Sequence, residues 1–360
     1  MAFHVLLRDI WSVTAPLERN PSLVPRHFLH YFTHVVRELG DEWYAPGRQC
    51  DAAEAITYIL NSLHDAMYRS VRMEIAGVAT TPEEASHMAA FKSWSEFFSR
   101  EYSPIISKFN GQTQIKITCG ACGHVSERYE PWLMLKAPIP GADKHGAAAP
   151  SLTECLAHGF ADETIEGYSC DACLAKYMET ALAAAPLEGS EEEQKAARKK
   201  LETAFVRPNA TMKSRISHLP PVVILTIKRF TNSGHKIRGP IEWDVNALDF
   251  RPFMAFDTDP FVGAAGDLGS VYETYAIIEQ LGNMHGGHYR MYARENETVW
   301  LGYDDNTVSV VPATHVVTAD SYVAFLTPAS CSRTLREGLA AHVAGQRKYN
   351  ETAGMAAEEA

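Results

Sequence analysis

The chain has 360 residues, 46% of them hydrophobic, so it can bury a large core, either as one domain with subdomains or as two or three domains. Its 44 acidic residues outnumber 33 basic ones, and the net charge of −11 argues against a nucleic-acid partner and favours a basic one. No apolar run is long enough to span a bilayer and no signal-peptide pattern follows Met1, so we expect no membrane partner and a location in the cytoplasm, the nucleus or both.

Residues 1 to about 105 have the apolar spacing of an all-helical lobe. Apolar side chains recur at helical intervals after Ser22, and a second amphipathic face begins after Gln49. This second face consists of Ala52, Ala55, Ile56, Ile59, Leu60, Leu63 and Met67. A third helix is predicted to start at Thr81-Pro82-Glu83-Glu84, because threonine and glutamate at this spacing can satisfy the free backbone donors of a first turn.

From Gly111 onward, short alternating runs replace the helical spacing. They predict strands at 114–117 and 125–135, joined by a turn at 119–123. A second capping box, 151–154, predicts a short helix. The Ala-, Glu- and Lys-rich segment 181–205 predicts an exposed helical insertion.

The last third of the sequence is dominated by strand patterns. Pro220 and Pro221 introduce an apolar run at 222–228 that predicts a central strand. Further strands are predicted at 272–278, 289–294, 299–303, 308–311 and 322–326. The final thirty residues predict one loose helix and an acidic tail.

Four of the seven cysteines form two Cys-x-x-Cys pairs, Cys119 with Cys122 and Cys170 with Cys173, separated by 47 residues. An odd cysteine count and this pairing favour metal thiolates in a reducing compartment over a disulfide framework. One pair alone could be a redox motif, but two pairs predict a tetrahedral zinc ion. With four protein ligands the site would be closed and structural, and we expect it to join two hairpins.

A histidine and an aspartate occupy positions typical of a catalytic pair. Gly286-Gly287-His288-Tyr289 opens one alternating run, and Asp304-Asp305 closes the next one, sixteen positions after the histidine. Adjacent strands would then present an imidazole and a carboxylate at neighbouring ends, as a general base and its orienting acid require. The two glycines would let substrate backbone approach closely. The alternative is an ordinary hairpin that carries a histidine and an acidic surface turn.

Five motifs follow one another in the order found in a known family. They are the helix start 48–54, the two Cys-x-x-Cys pairs, the strand 219–230 ending in Lys-Arg-Phe, the histidine box with Trp300 and Asp304, and the closing strand 322–326. Together they resemble the ubiquitin-specific proteases, which are papain-like thiol deubiquitinases, over nearly the whole chain. Cys50 and Ala53 depart from the family pattern at the helix start.

The resemblance implies an α+β, papain-like cysteine protease fold in a single catalytic domain. The expected parts are a helical thumb at 1–105, zinc-ribbon fingers at 106–220 with the charged insertion near 181–205, a β-rich palm at 221–330 with the histidine box, and a C-terminal tail at 331–360. Ubiquitin, or a ubiquitinated protein, would be gripped by fingers and palm. The implied reaction is thiol-catalysed hydrolysis of the peptide or isopeptide bond after the terminal glycine of ubiquitin.

The resemblance also assigns roles to individual residues. His288 would be the general base, Asp304 its orienting partner and Asp305 a support. The expected substrate-binding residues are Asp51, Glu54, Gly286, Gly287 and Tyr289, and the expected ligands of a structural zinc are Cys119, Cys122, Cys170 and Cys173. Asp51 and Glu54 could pair with the basic tail of ubiquitin, or could simply be acidic residues favoured at a helix N-terminus.

The nucleophile of the family, a cysteine in an Asn-x-x-Cys-Tyr box, has no counterpart in this sequence. The opening segment 2–7 looks like the helix just downstream of that cysteine, so we expect the thiol a few residues before Met1. Of the cysteines outside the two pairs, which are Cys50, Cys155 and Cys331, none is placed by a motif at a helix start facing His288. Cys50 is the nearest substitute, because its segment resembles one that lies near the active site in the family, but a core or surface cysteine is the favoured interpretation. Two other hypotheses stay open: a pseudoprotease that binds ubiquitin without cutting it, and a zinc-stabilised interaction scaffold without ubiquitin contact.

Overall fold

The computed structural model describes residues 6, 25–38, 49–75, 77–141, 149–184, 190–231, 233–257, 269–284 and 286–330. The helices in these ranges are α1 (Arg26–Glu38), α2 (Ala52–Met67), α3 (Pro82–Phe98), α4 (Pro104–Phe109), α5 (Leu152–Gly159), α6 (Asp171–Ala184) and α7 (Glu191–Ala204). The strands are β1 (Gly111–Cys119), β2 (Val125–Trp132), β3 (Met134–Pro138), β4 (Glu163–Ile165), β5 (Ala210–His218), β6 (Val223–Lys228), β7 (Leu248–Asp249), β8 (Val271–Asn283), β9 (Gly286–Arg294), β10 (Trp300–Asp304), β11 (Thr307–Val311) and β12 (Ser321–Pro328). This confirms the predicted α+β class.

Several helices begin where their capping residues predict. The side chain of Thr81 accepts a hydrogen bond from the backbone N–H of Glu84, and the side chain of Glu84 accepts one from the backbone N–H of Thr81. Helix α3 then starts at Pro82. Ser151 and Glu154 form the same box before α5. Both capping boxes are therefore confirmed, and each satisfies backbone donors that the helix itself leaves without acceptors.

Two sheets form the β-structure of the described chain. The smaller one has four antiparallel strands in the order β2-β1-β5-β4. The larger one runs β11-β10-β9-β8-β12-β6-β3, with β7 also paired to β8. Among the described strands of this larger sheet, β3 and β6 form the one parallel pair. A parallel pair needs a long crossover connection, and the chain between β3 and β6 provides it.

The centre of the large sheet is buried on both faces. Alternate residues of β6 point to opposite sides, so Leu225 packs with Leu156 of α5, whereas Ile224 packs with Leu60 of α2. Burying a side chain of this size contributes about 1.5–3 kcal/mol, so the two helices fix the sheet from either side. The start of α2 is thereby held against the same sheet that carries β9.

The structure corrects the predicted strand 125–135. Leu133 interrupts it, and β2 joins the small sheet while β3 leaves for the large one. In the large sheet Leu135 is buried beside β6. If it continued β2, which is the edge strand of the small sheet, Leu135 would not gain this burial. The range 106–220, expected to form the fingers, therefore includes a strand of the large sheet and helix α5.

The predicted insertion at 181–205 is helical and exposed in its described part. Helices α6 and α7 carry no buried residue, and a capping box at Ser190 starts α7. The predicted tail 331–360 and most of the opening segment 2–7 lie outside the described residues. None of the described helices is long and apolar enough to cross a membrane.

Candidate functional site

Strands β9 and β10 bring His288 and Asp304 together. Tyr303 pairs with Met291 across these antiparallel strands, which sets the end of β10 beside the start of β9. The Nε2 atom of His288 lies 2.5 Å from Oδ1 of Asp304. The other ring nitrogen, Nδ1, makes no hydrogen bond to any described residue. An imidazole oriented in this way can accept a proton at Nδ1.

The charges around His288 favour its protonated form. The hydrogen bond that His288 donates to Asp304, and then the negative charges of Asp304 and Asp305, raise the pKa of His288, while partial desolvation and the nearby Arg290 lower it. Asp305 sits in the turn after β10 with φ 51°, a left-handed conformation that aspartate tolerates better than most residues. The predicted support residue is thus close to the imidazole, at the turn.

An open cleft of about 960 Å³ runs between the start of α2 and the edge where β8 meets β9. Among the residues that line it are Gln49, Glu54, Gly287 and Tyr289. Because side chains alternate along β9, Tyr289 faces this cleft and His288 lies on the other face of the strand. Gly287 connects the cleft to the histidine, because it lines the cleft and directly precedes His288.

Gln49 clamps the backbone of β9, a contact that the sequence analysis did not identify. Its Nε2 donates to the carbonyl of Gly287 (3.0 Å), and its Oε1 accepts from the N–H of the same residue (2.9 Å). The backbone N–H of Ala52 also donates to the hydroxyl of Tyr289 (3.3 Å). These contacts span more than 230 positions in sequence. The one sequence signal for these contacts was the similarity of residues 48–54 to a motif of the family.

Asp51 serves the protein's own structure with both carboxylate oxygens. Its Oδ1 caps α2 by accepting from the N–H groups of Ala53 and Glu54, and its Oδ2 accepts from the hydroxyl of Tyr322 at 2.7 Å. Glu54 is exposed and lines the cleft. Of these two predicted substrate-binding residues, Glu54 is the one that keeps its carboxylate towards solvent.

The two glycines before His288 differ in their surroundings. A Cβ at Gly287 would lie 2.0 Å from the carbonyl oxygen of Leu281 on β8, so this position is filled by the protein itself. A Cβ at Gly286 would meet only Oε1 of Gln49, at 3.4 Å. Both glycines were expected to let substrate backbone approach closely. At Gly287 it is strand β8 of the protein itself that makes the close approach.

Cys50 and Cys155 are the described cysteines that lie outside the four-cysteine cluster. Cys50 lines the cleft, but partial burial and then the charge of Glu54 raise the pKa of its thiol. Cys155 is buried in the core, and burial raises its pKa to about 11. Reactive thiols are those whose pKa is lowered, so neither has the electrostatics of an activated nucleophile. Cys331 lies outside the described residues.

The four predicted metal ligands form one cluster at the end of the small sheet. Their sulfur atoms lie within 4.8 Å of one another, with Cys119 and Cys173 at 3.7 Å and Cys122 and Cys170 at 3.6 Å. Sulfurs that ligate one zinc tetrahedrally at about 2.3 Å lie about 3.8 Å apart, so the spacing fits a metal ion. The first pair sits in the β1–β2 turn, where Gly123 has φ +70°.

The second cysteine pair differs from the prediction, because it does not sit in a hairpin. Cys170 directly precedes α6, and Cys173 belongs to its first turn. The site therefore connects a hairpin to a helix start, not two hairpins. Backbone N–H groups, first that of Cys122, lower the pKa of Cys119 to about 7, whereas hydrogen bonding, first with Cys122, raises that of Cys173 to about 12. Thiols this close resist joint ionisation unless a cation neutralises them.

Comparison with known proteins matches residues 1–326 to the family model described as ubiquitin carboxyl-terminal hydrolase. The chain is 25% identical over 338 residues to ubiquitin carboxyl-terminal hydrolase 2 of Gallus gallus, covering 92% of this chain and 80% of that protein. It is 25% identical over 341 residues to the Homo sapiens hydrolase of the same name, covering 91% of this chain and 47% of that protein. This chain thus spans about half the length of the human relative.

Two solved structures share the fold. One is the SAGA Ubp8/Sgf11/Sus1/Sgf73 DUB module bound to ubiquitin aldehyde, with a TM-score of 0.53 and 18% identity over 84% of this chain and 53% of that chain. The other is the Ubp8-Sgf11-Sgf73-Sus1 SAGA DUB module, with a TM-score of 0.54 and 16% identity over 91% of this chain and 57% of that chain. At such identities the likeness concerns the fold alone.

Proposed function

Because this chain belongs to the ubiquitin carboxyl-terminal hydrolase family, we propose that it is the catalytic domain of a deubiquitinase that hydrolyses the bond after the C-terminal glycine of ubiquitin. The observation that carries the proposal is the His288–Asp304 pair at 2.5 Å, next to Gly287 at the edge of an open cleft. An extended peptide tail fits a cleft of this kind, and a base beside it can act on the bond where the tail ends.

His288 acts on the thiol and on the leaving amine. Its Nδ1 removes the thiol proton, the thiolate attacks the glycine carbonyl, and the imidazolium returns the proton to the departing amine. Water then attacks the thioester, with His288 again taking the proton, and this releases the ubiquitin carboxylate and the thiol. Asp304 keeps Nε2 protonated and stabilises the imidazolium in both steps.

The thiol itself is proposed to come from a cysteine box that precedes Met1. The raised pKa values of Cys50 and Cys155 support this assignment. A polypeptide extended upstream through that box should cleave a ubiquitin C-terminal amide, whereas residues 1–360 alone should not. In the extended protein, His288→Ala should lower kcat/KM by about 10²–10⁴-fold. Cleavage by residues 1–360 that is lost in Cys50→Ala would instead make Cys50 the nucleophile.

A pseudoprotease that binds ubiquitin without cutting it is the second candidate. It is favoured by the lack of a cysteine box in the sequence, and the retained His288–Asp304 pair speaks against it. If the extended protein binds ubiquitin but leaves the amide intact, the pseudoprotease is correct. If no ubiquitin binds to either polypeptide, only a scaffold role remains.

Glu54 is our candidate for contact with the basic tail of ubiquitin, because its carboxylate is exposed beside the cleft. Glu54→Ala should weaken ubiquitin binding, and the loss should shrink at high salt. Asp51→Ala is the matched control, since its oxygens are engaged within the protein. It should reduce thermal stability more than it reduces affinity. Isothermal titration with the two variants separates these effects.

We further propose one structural zinc held by Cys119, Cys122, Cys170 and Cys173. Four soft thiolates at tetrahedral spacing suit zinc, and they leave no open position for water. In this proposal the small sheet forms the fingers, the large sheet the palm and the helices up to α4 the thumb. A site of reduced thiolates also suits the cytoplasm or nucleus, and microscopy of the tagged protein would test that location.

A further inference from the structure

A row of charged side chains crosses the large sheet directly behind His288. Glu279 of β8 is the cross-strand partner of Arg290 on β9. The pairing of Tyr303 with Met291 places Asp304 of β10 opposite Arg290 on the other side. Arg290 and His288 are two positions apart and therefore share a face of β9. Arg290 thus stands between two carboxylates, and one of them is the partner of His288.

The inner carboxylate, Glu279, is fixed in place. Its side chain is only 1% exposed. It accepts hydrogen bonds from the hydroxyl of Tyr292 at 3.0 Å and from the hydroxyl of Thr318, and its Oε2 lies 3.2 Å from Nη2 of Arg290. A buried carboxylate that accepts from this many donors is held in one position. It can therefore anchor the guanidinium of Arg290.

The other end of the guanidinium reaches Asp304. Nη1 of Arg290 lies 4.0 Å from Oδ2 of Asp304, whereas Oδ1 of the same carboxylate faces His288. The two oxygens of Asp304 thus meet different partners. We propose that Arg290, anchored by the buried Glu279, is a positioning residue that holds Oδ2 of Asp304 and balances its charge beside His288.

This arrangement has a clear use for a general base. Two carboxylates, Asp304 and Asp305, stabilise the imidazolium form of His288. If that form is too stable, the ring stays protonated near neutral pH and cannot accept the proton that a general base must take. Arg290 opposes both of them. Among the described residues, the charges that face His288 are those of Arg290 on β9 and of Asp304 and Asp305 on β10 and its turn, with Glu279 of β8 behind Arg290.

The test is an NMR titration of the His288 imidazole, with its signal identified by its loss in His288→Gln. Arg290→Gln should raise the pKa of His288, because a cation beside the imidazolium is removed. Arg290→Lys keeps the charge and should restore most of the wild-type value. An unchanged or lowered pKa in Arg290→Gln would overturn the proposal.

Arg294→Gln provides the matched control. Arg294 lies on the same face of β9, four residues further along, and its Nη1 lies 2.9 Å from Oε2 of Glu273 on β8. The Arg294→Gln variant should lower the stability of the protein without moving the pKa of His288. If Arg294→Gln shifted that pKa as much as Arg290→Gln does, a specific role of Arg290 would be contradicted. In a Glu279→Gln background, Arg290→Gln should shift the pKa less. An equal shift would disprove the anchoring.

The inference rests on the proposed role of His288 as the base, but the titration needs neither ubiquitin nor a nucleophile. A failure of the pKa shifts would therefore leave the hydrolase proposal intact. Conversely, if the extended protein proved inactive, the pKa shifts measured by the titration would still stand. The residues Glu279 and Arg290 carried no signal in the sequence, and only the strand register brings them to the site.

Discussion

The histidine end of the large sheet and the cysteine cluster of the small sheet are built in opposite ways. His288 and Asp304 lie on neighbouring strands, sixteen positions apart, so backbone hydrogen bonds already set their distance. The cysteine pairs lie on a hairpin and at the start of helix α6, which has no buried residue of its own. Strand register fixes the distance in the first site, whereas in the second the proposed metal ion would hold the two cysteine pairs together. The two should therefore respond differently to perturbation.

Removal of the proposed zinc should have the largest effect and should be confined to the cysteine end. Chelation, or Cys170→Ser/Cys173→Ser, should cost several kcal/mol of local stability, since the thiolates lose the ion that neutralises them. Hydrogen exchange should rise in β1, β2 and α6, while the His288 NMR signal stays in place. The metal content is checked by elemental analysis. Less than half an equivalent of zinc in the wild type, or undiminished zinc in the variant, would refute the site.

The converse perturbation is Gly287→Ala at the histidine end. A Cβ there would sit 2.0 Å from the carbonyl of Leu281, so β8 and β9 must separate, at a cost of about 1–3 kcal/mol or more. We expect a lower thermal midpoint and a displaced His288 signal, with zinc content unchanged. Gly286→Ala is the control, because its nearest neighbour is Oε1 of Gln49 at 3.4 Å. Similar losses in both variants would speak against the packing argument.

The cap of α2 should give a smaller effect. Asp51→Ala removes an acceptor for two backbone N–H groups and for the Tyr322 hydroxyl, so we expect a loss of about 2 kcal/mol in unfolding free energy. Thr81→Ala removes a cap of α3 without a sheet contact and should cost about 1 kcal/mol. Urea unfolding measures both. Equal losses would mean that the Tyr322 contact adds nothing.

The smallest effect should be a pH dependence from His288. Its pKa is raised in the folded state by Asp304, so its contribution to stability is fully present below the unfolded pKa of about 6.5 and is lost as pH rises through the folded pKa. The difference in Tm between wild type and His288→Gln should therefore be larger at about pH 5.5 than at about pH 8.5. A difference that grows towards alkaline pH would contradict the raised pKa.

Local sequence determined much of this protein. The capping boxes at Thr81 and Ser151 start helices because their side chains satisfy nearby backbone donors, whatever the tertiary context. The alternating runs around His288 and Asp304 form adjacent strands because they follow one another in the chain. The spacing of the Cys-x-x-Cys pairs likewise indicated that four sulfurs would meet, as they do.

Tertiary structure alone decided the partners that come from distant parts of the chain. The departure of β3 to the large sheet depends on a parallel partner, β6, which lies some ninety residues later. Gln49 clamps Gly287 and Asp51 binds Tyr322 only because α2 packs across the sheet. Arg290 reaches Asp304 through the strand register. Periodicity reports which face a side chain takes, but it carries no information about which strand or helix will cover that face.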